Sequence, residues 1–314
     1  MKIHYNLGNF IAYKPVVTIG TFDGVHLGHR EVISELKRYS ALSGGESVVF
    51  TFEPHPRIII APQEDSLRLL STKGEKIRLM EKIGIDHLVI YPFTSEFSKL
   101  SYDEFVSEIL VKGMNISSLV VGYDHRFGKG RQGNFNSLEI LSRSLNFKVE
   151  QMSQLVVDNK IVSSTRIRQA LGAGDIVKAN HFLGYQYSLS GKVVQGNQLG
   201  RKIGFPTANI DTYDDHKLVP ADGVYAVMVE SGGRVFKGML NIGMRPTVNH
   251  NADHKTIEVN IFNFDEDIYD SEITLFFVER IRNEQKFDGI DLLRDQLFKD
   301  QEIAMDILAK KNFL

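Results

Sequence analysis

The sequence predicts an α/β plus β protein, in which a doubly wound parallel-sheet domain precedes a small antiparallel β-barrel with a C-terminal helix. Three observations lead to this prediction. The chain has 314 residues, and single hydrophobic cores usually stop growing at about 250 to 300 residues. Short β-branched runs alternate with helical periods up to about residue 148. After about residue 183, strand-like alternation and Gly-rich turns replace that pattern.

The first half alternates strands with amphipathic helices. Its clearest strands are four apolar runs, at 16–19, 47–52, 87–93 and 118–123. A helical period lies between the first two, at Val32, Ile33, Leu36 and Tyr39. Two capping boxes, Thr72 to Glu75 and Ser101 to Glu104, predict further helix starts. Such β–α alternation predicts a parallel sheet with helices on both faces.

The second half consists of alternating strands followed by one helix. VYAVMVE and RVFKGML are joined by SGG, which is a hairpin signal, and TIEVNIF and EITLFFV follow them. A small barrel or a sandwich accommodates these antiparallel strands, and we predict the barrel. Helical spacing from residue 290 to about 308 predicts a helix packed on the sheet. We place the two domains at residues 1–183 and 184–314.

Composition limits the function classes. The net charge of −2 argues against a general nucleic-acid binder. The chain has no cysteine, which excludes disulfides, thiolate zinc sites, iron–sulfur clusters and a cysteine nucleophile. Neither a signal peptide nor an apolar run of about 18 residues is found. We therefore expect a cytoplasmic protein with no membrane or nucleic-acid partner, and its oligomeric state stays open.

The segment GTFDGVHLGH, residues 20–29, directly follows the first predicted strand. Parallel sheets bind ligands at the carboxyl ends of their strands, and three other polar segments fall at that edge: 53–56, 122–134 and 162–171. Gly20 and Gly24 allow backbone to approach an anion at a helix N-terminus, where His26 and His29 can donate hydrogen bonds. A zinc site and an inert tight turn remain alternatives to this phosphate site.

Two other phosphate motifs do not fit. Gly20, Gly24 and Gly28 are four residues apart, so they fail the GxGxxG spacing of dinucleotide-binding domains. FGKG, residues 127–130, lacks the upstream glycine and the following Ser or Thr of a P-loop. The sequence thus disfavours a dinucleotide dehydrogenase and a P-loop kinase.

TFDGVHLGH resembles the signature of the HxGH nucleotidyltransferases, in the version of the bacterial FAD synthetases. VGYDHRFGKGRQGN and VSSTRIR resemble the second and third motifs of that family. The resemblance implies adenylylation of FMN by ATP, with His26 and His29 stabilising the phosphates. It implies further phosphate-binding residues: Gly20, Phe22, Asp23, Gly24, Ser163, Ser164, Thr165 and Arg168. It also implies second-motif residues Gly122, Asp124 and Arg126, with His125 and Glu53 as departures from the family pattern.

GNQLGRKIGFPTANI, residues 196–210, is a second dense motif. Its glycines allow close backbone approach, and Arg201 and Lys202 add positive charge. Thr207 and Asn209 offer neutral, hard oxygen ligands suited to a Mg²⁺ that also binds phosphates. A glycine-rich hairpin loop is the alternative interpretation.

GRKIGFPTAN resembles the motif of the riboflavin kinases, and GVYAV, NIGMRPTV and IEVNIFNFDEDIYD resemble later family segments. This resemblance implies ATP-binding roles for Gly200, Arg201, Lys202 and Gly204, and flavin-side roles for Tyr225 and Arg245. It also implies that Glu258 accepts the proton of the riboflavin 5′-hydroxyl. Alternation in TIEVNIF turns Glu258 away from the apolar side, which equally suits a solvent-facing residue. At Asp270 the chain departs from a frequent glycine.

Together the motifs resemble the bifunctional riboflavin kinase/FMN adenylyltransferases over nearly the whole chain. The implied reactions use ATP and Mg²⁺ to convert riboflavin to FMN, and then FMN to FAD with release of pyrophosphate. Two alternatives are a chain in which only the kinase works and a flavin-binding regulator without turnover. Riboflavin, FMN and ATP are the expected partners.

Overall fold

The computed structural model describes residues 1–61, 67–123, 125–153, 156–157, 160–196, 199–244 and 255–310. The chain divides into two compact units, Met1–Ser164 and Thr165–Leu314. The predicted domain boundary at 183/184 stays a prediction, and the structural division falls earlier because two helices pack on the second unit. Within the described residues, every helix is too short or too polar to cross a bilayer.

The first unit is built on a six-stranded parallel sheet. Its strands are β1 (Lys2–His4), β2 (Val16–Ile19), β3 (Ser47–Glu53), β4 (His87–Pro92), β5 (Ser118–Val121) and β6 (Lys148–Gln151). Their order across the sheet is β1-β4-β3-β2-β5-β6. The chain therefore leaves β2 in one direction and returns to its other side at β5. This reversal is the topological switch point at which doubly wound sheets bind ligands. Two short strands, β7 (Val156–Val157) and β8 (Lys160–Ile161), form a separate hairpin.

Helices cover both faces of this sheet, as predicted. They are α1 (Leu27–Ser43), α2 (Pro56–Ile60), α3 (Lys73–Ile83), α4 (Tyr102–Glu104, continued by wider π-helical turns over Phe105–Gly113) and α5 (Phe135–Leu145). Leu36 of α1 and Met80 of α3 pack on one face with Val49 of β3. The opposite face of β3 contributes Phe50 to a core that contains side chains of α4 and α5. Alternate residues of one strand thus enter different cores, which explains the unbroken apolar character of these strands.

Both predicted capping boxes are confirmed. At the start of α3 the Thr72 side chain accepts a hydrogen bond from the Glu75 backbone N–H, and the Glu75 carboxylate accepts one from the Thr72 backbone N–H. Ser101 and Glu104 make the same reciprocal pair at the start of α4. Each box satisfies two backbone N–H groups that have no partner inside the helix.

The second unit is a closed six-stranded antiparallel barrel, which confirms the predicted fold class. Its strands are β9 (Ser188–Val194), β10 (Ala208–Thr212), β11 (Gly223–Ser231), β12 (Arg234–Met244), β13 (Lys255–Ile261) and β14 (Glu272–Arg282), in the order β10-β13-β12-β11-β14-β9. Gly232 and Gly233 form the turn between β11 and β12, as the hairpin signal predicted. The interior contains fully buried side chains, among them Tyr225, Leu240, Val259 and Phe277.

Besides the barrel, the described part of the second unit contains the helices α6 (Ser164–Gly172), α7 (Ile176–Leu183), α8 (Leu199–Lys202) and α9 (Ile290–Ala309). Asn180 of α7 donates to the Phe277 carbonyl at 2.8 Å and accepts from the Tyr187 backbone at 2.7 Å. These bonds tie α7 to the barrel. On α9, Ala304 and Leu308 pack against Ala226 and Met239 on the outer face of the barrel.

A buried ion pair also anchors α9. The Asp300 carboxylate is fully buried and accepts from Nε and Nη2 of Arg282 at 2.8 to 3.0 Å and from Gln296 at 2.9 Å. We expect Asp300→Ala to lower the free energy of unfolding by about 3 kcal/mol, since it leaves a largely buried guanidinium without its partner. Urea denaturation followed by circular dichroism measures this change. Asp306→Ala, at an exposed position of the same helix, is the control. A loss at Asp300 no larger than that at Asp306 would contradict the anchoring role.

Candidate active sites

The loop between β2 and α1 lies at the switch point and has a strained backbone. Phe22 and Val25 have φ values of +47° and +36°, and Gly24 has +79°. Positive φ suits glycine and is costly for the other two residues. Both Phe22 and Val25 are buried, so packing holds them in this conformation. Strain of this kind concentrates at functional sites.

Hydrogen bonds from several directions hold the same loop. The Asp23 carboxylate, which is 2% exposed, accepts from the backbone N–H groups of Leu70 and Ser71 at 2.9 to 3.1 Å. The Gly24 N–H donates to Ser71 Oγ at 3.0 Å, and Ser164 Oγ donates to the Asp23 carbonyl at 3.1 Å. Asp23 thus anchors the loop with its carboxylate. Its sequence-based assignment to phosphate binding stays a prediction.

His26 and His29 form a stacked pair at the N-terminus of α1. The ring centroids are 3.7 Å apart with an interplanar angle of 14°, and the Phe22 ring meets His29 edge-on at 5.1 Å. His26 Nδ1 caps the helix by accepting from the His29 backbone N–H at 3.3 Å. Because Nδ1 is the acceptor, a neutral His26 carries its proton on Nε2 and can donate it. That donor lies beside the free N–H groups of a helix start, where anions bind.

His29 is held as a neutral imidazole. Burial lowers its pKa well below the usual value, and His26 and Lys76 lower it further. Its Nδ1 is buried and has no hydrogen-bond partner among the described residues. Buried polar atoms nearly always have partners, so this ring nitrogen can bond to a ligand or to water.

Lys76 of α3 is a further charged group at this loop, and sequence analysis missed it. Its side chain is 6% exposed, and Nζ donates to the Thr21 carbonyl at 2.9 Å. Burial lowers its pKa, while the carboxylates of Asp23 and Glu53 act in the opposite direction. On a helix with several lysines, nothing in the sequence distinguishes the one that points inward.

The second motif lies in the first unit, and the third motif crosses the division between the two units. Gly122 and Arg126 follow β5, and Asp124 lies outside the described residues. A cavity of about 340 Å³ opens there, lined by Tyr123, His125, Arg126, Asn134, Phe135, Asn136 and Gln151. Ser163 and Ser164 belong to the first unit, whereas Thr165 and Arg168 belong to the second.

In the barrel, Glu258 lies among polar side chains on the outer face. Its neighbours Ile257 and Val259 are buried, while Glu258 is partly exposed, as strand alternation predicted. In the strand register Glu258 stands opposite Asn209 of β10 on one side and Asn241 of β12 on the other. Thr207 Oγ1 lies 3.4 Å from Glu258 Oε2. Cross-strand partners share a face of the sheet, so carboxylate, hydroxyl and amide groups gather at one place.

The glycine-rich loop before β10 folds back against these residues. A Cβ at Gly196 would lie 2.1 Å from Asn209 Nδ2, and one at Gly200 would lie 2.1 Å from the Phe205 carbonyl oxygen. The absence of side chains at both positions is therefore required for this close approach. Asn260 Nδ2 donates to the Pro206 carbonyl at 2.7 Å and fixes the end of the loop.

The other residues that the kinase resemblance implies differ in their exposure and contacts. Arg201 is exposed on α8, and Gly204 has a φ of +85°. Tyr225 is buried, its hydroxyl donates to the Ala221 carbonyl, and burial raises its pKa to about 12. Arg245 and the side chain of Lys202 lie outside what the structure describes. The flavin-side and ATP-side roles of these residues stay predictions.

An HxGH loop at a sheet switch point, together with a carboxylate beside hard oxygen donors on a barrel, defines a two-site phosphate transferase. Residues 11–166 match the FAD synthetase family model, and residues 183–308 match the riboflavin kinase model. A bifunctional riboflavin kinase/FMN adenylyltransferase from Buchnera aphidicola is 38% identical over 97% of this chain and 98% of its own. The chain belongs to the family of bifunctional riboflavin kinases/FMN adenylyltransferases.

A second relative agrees with this assignment, and a solved structure has the same fold. The Bacillus subtilis relative of the same name is 36% identical and covers 93% of this chain and 92% of its own. A crystal structure described as a macrolide-efflux protein from Streptococcus pneumoniae superposes with a TM-score of 0.87 at 32% identity, covering 96% of this chain and 98% of its own. The protein is an ATP-dependent transferase that phosphorylates riboflavin to FMN and adenylylates FMN to FAD.

Proposed function

We propose that His26 and His29 stabilise the phosphates of ATP while an FMN phosphate oxygen attacks the α-phosphorus, with Ser163, Ser164, Thr165 and Arg168 holding the triphosphate. The observation that carries this proposal is the stacked histidine pair at the α1 N-terminus, with a buried His29 Nδ1 that has no hydrogen-bond partner among the described residues. Neutral imidazoles can donate to developing negative charge without removing a proton from the substrate. The leaving group is pyrophosphate, and the reaction needs no covalent intermediate on the enzyme.

In the barrel, the proposed reaction is transfer of the γ-phosphoryl group of ATP to the riboflavin 5′-hydroxyl. Glu258 is the proposed general base, since a carboxylate within reach of a primary alcohol can accept its proton. The proximity of Thr207 Oγ1 to the Glu258 carboxylate, at 3.4 Å, supports this role, because polar groups that could bind the substrate lie beside the carboxylate. The glycine-rich loop with Arg201, Lys202, Gly200 and Gly204 is the proposed phosphate-binding element.

Mg²⁺ is the proposed metal of the kinase site, with Thr207 and Asn209 as its ligands. Their hydroxyl and amide oxygens are hard, neutral donors, and Asn209 stands opposite Glu258 in the strand register. The donor set therefore fits an ion that keeps several waters and binds mainly through nucleotide phosphates. When bound, Mg²⁺ would offset the negative charge of ATP.

Loss of a metal ligand provides the test. We expect Asn209→Ala to raise the Mg²⁺ concentration for half-maximal FMN formation by about 10-fold or more, because one oxygen donor is lost. Titration of Mg²⁺ into the chelator-treated enzyme, with FMN quantified by chromatography, measures this. Thr212→Ala, on the same strand, is the control. An unchanged Mg²⁺ requirement in Asn209→Ala would remove Asn209 from the site.

The domain boundary and the cellular location complete the proposal. We propose that the catalytic domains meet at residues 183/184, since the riboflavin kinase match begins at residue 183; kinase activity in a fragment of residues 184–314 would check this. We also propose a cytoplasmic location, because both reactions consume ATP. Immunoblotting of cell fractions tests that location.

A further inference from the structure

The carbonyl of Thr21 connects Lys76 to the histidine loop. It accepts from Lys76 Nζ at 2.9 Å and from Thr51 Oγ1 at 3.1 Å. Two donors on one carbonyl fix the orientation of the peptide plane between Thr21 and Phe22. This plane directly precedes Phe22, whose positive φ is the first strained angle of the loop.

Phe22 transmits that orientation to His29. Its ring is buried and meets the His29 ring edge-on at 5.1 Å. A rotation of the Thr21–Phe22 peptide would therefore move the Phe22 ring and release one side of the His29 imidazole. Small displacements of a catalytic group have large effects on rate, because the group must meet the reacting atoms in one geometry.

Besides its hydrogen bond to the Thr21 carbonyl, Lys76 contributes a positive charge. A buried ammonium is costly, and a methionine would fill the same space without that cost. Burial disfavours the charged form of Lys76, and Asp23 and Glu53 favour it. A charge on His29 is disfavoured first by burial, then by His26 and by Lys76. The Lys76 ammonium thus lies against the loop that carries the histidine pair.

We propose that Lys76 is a positioning residue for adenylyl transfer, which orients His29 through the Thr21 peptide and Phe22 and places a positive charge beside that imidazole. This inference rests on the role proposed for His29. It concerns a residue outside the three sequence motifs and leaves the kinase site untouched.

Lys76→Met tests the proposal, because methionine keeps the apolar stem and removes the donor and the charge. We expect FAD formation from supplied FMN to fall about 10²-fold, with FMN formation from riboflavin unchanged. Lys76→Arg, which retains the charge and a donor, should restore part of the rate. The exposed Lys82 on the same helix supplies the control Lys82→Met, for which no change is expected.

An NMR pH titration of the histidine ring signals gives a readout that a merely structural role would not move. Since the Lys76 charge lowers the pKa of His29, that pKa should lie higher in Lys76→Met than in the wild type and in Lys82→Met. Should Lys76→Met not fold, Thr51→Val serves as the second variant. It removes the other donor to the same carbonyl, so FAD formation should fall while the charge and the pKa of His29 remain.

Three results would overturn the inference. These are FAD formation within about twofold of the wild type in folded Lys76→Met, a fall in rate in Lys76→Met with an unchanged His29 pKa, and unchanged FAD formation in Thr51→Val. The His29→Ala variant separates this inference from the proposed function. If His29→Ala loses FAD formation and Lys76→Met does not, only the positioning role fails. Retained FAD formation in His29→Ala would instead refute the proposed function.

Discussion

His29→Ala is expected to stop FAD formation while FMN formation continues. The substitution removes a partly buried imidazole whose Nδ1 is buried and has no partner in the described structure. Loss of one donor to the charge that develops in a transition state lowers the rate about 10²- to 10³-fold. The substitution also leaves the His26 ring without the ring on which it stacks, so that His26 is held less firmly. We therefore expect a loss at the upper end of this range. Chromatography of flavins after incubation with riboflavin, ATP and Mg²⁺ should show FMN accumulating without FAD.

A stability measurement and a control variant distinguish a catalytic effect of His29→Ala from a general loss of structure. Thermal unfolding should remain close to that of the wild type, and the exposed His181 offers His181→Ala as a control that forms both flavins normally. FAD formation near the wild-type rate would refute the role of His29. Loss of both activities would contradict two independent sites.

Glu258→Gln is expected to give the opposite outcome. Glutamine keeps the size of the side chain and can still meet Thr207 and Asn209, but it cannot accept the proton of the 5′-hydroxyl. General-base catalysis typically contributes about 10²- to 10⁴-fold in rate, and FMN formation should fall by this amount. Conversion of supplied FMN to FAD should continue unchanged, because the histidine pair lies in the other compact unit.

The matched control for this variant is Glu272→Gln, at an exposed position of β14 in the same barrel. It should leave both reactions unaffected. A pH profile adds a second test, since a lost general base removes the dependence of kcat on that group. FMN formation within a few-fold of the wild type in Glu258→Gln would assign proton removal to another group.

The elements predicted from sequence are those governed by local rules. The central strands lie within one or two residues of their predicted bounds, and the reciprocal bonds at Thr72 and Ser101 are present. The Gly232–Gly233 turn also lies where the hairpin signal placed it. Capping and turn formation involve residues a few positions apart, so the sequence contains their physical causes.

Elements that depend on distant partners were missed. The strand β1, Lys2–His4, is partly exposed and has no clear sequence pattern. It forms because its backbone pairs with β4, more than 80 residues away. The π-helical turns of α4 keep an apolar face that an ordinary helix would also show. The barrel closes through pairing of β9 with β10. Neither strand was predicted, because the glycine-rich segment between them was interpreted first as a binding motif, with a hairpin loop as the alternative.

The sequence by itself determined the two-domain fold class, the position of His26 and His29 at a helix start, and the outward direction of Glu258. Each of these follows from periodicity or spacing within one element, because backbone geometry fixes the faces of strands and helices. Only the tertiary structure decided that Phe22 and Val25 are strained, that Asp23 is a loop anchor, and that Lys76 reaches the Thr21 carbonyl. These features depend on α3 packing against a loop some 50 residues earlier in the chain, and no local pattern encodes that contact.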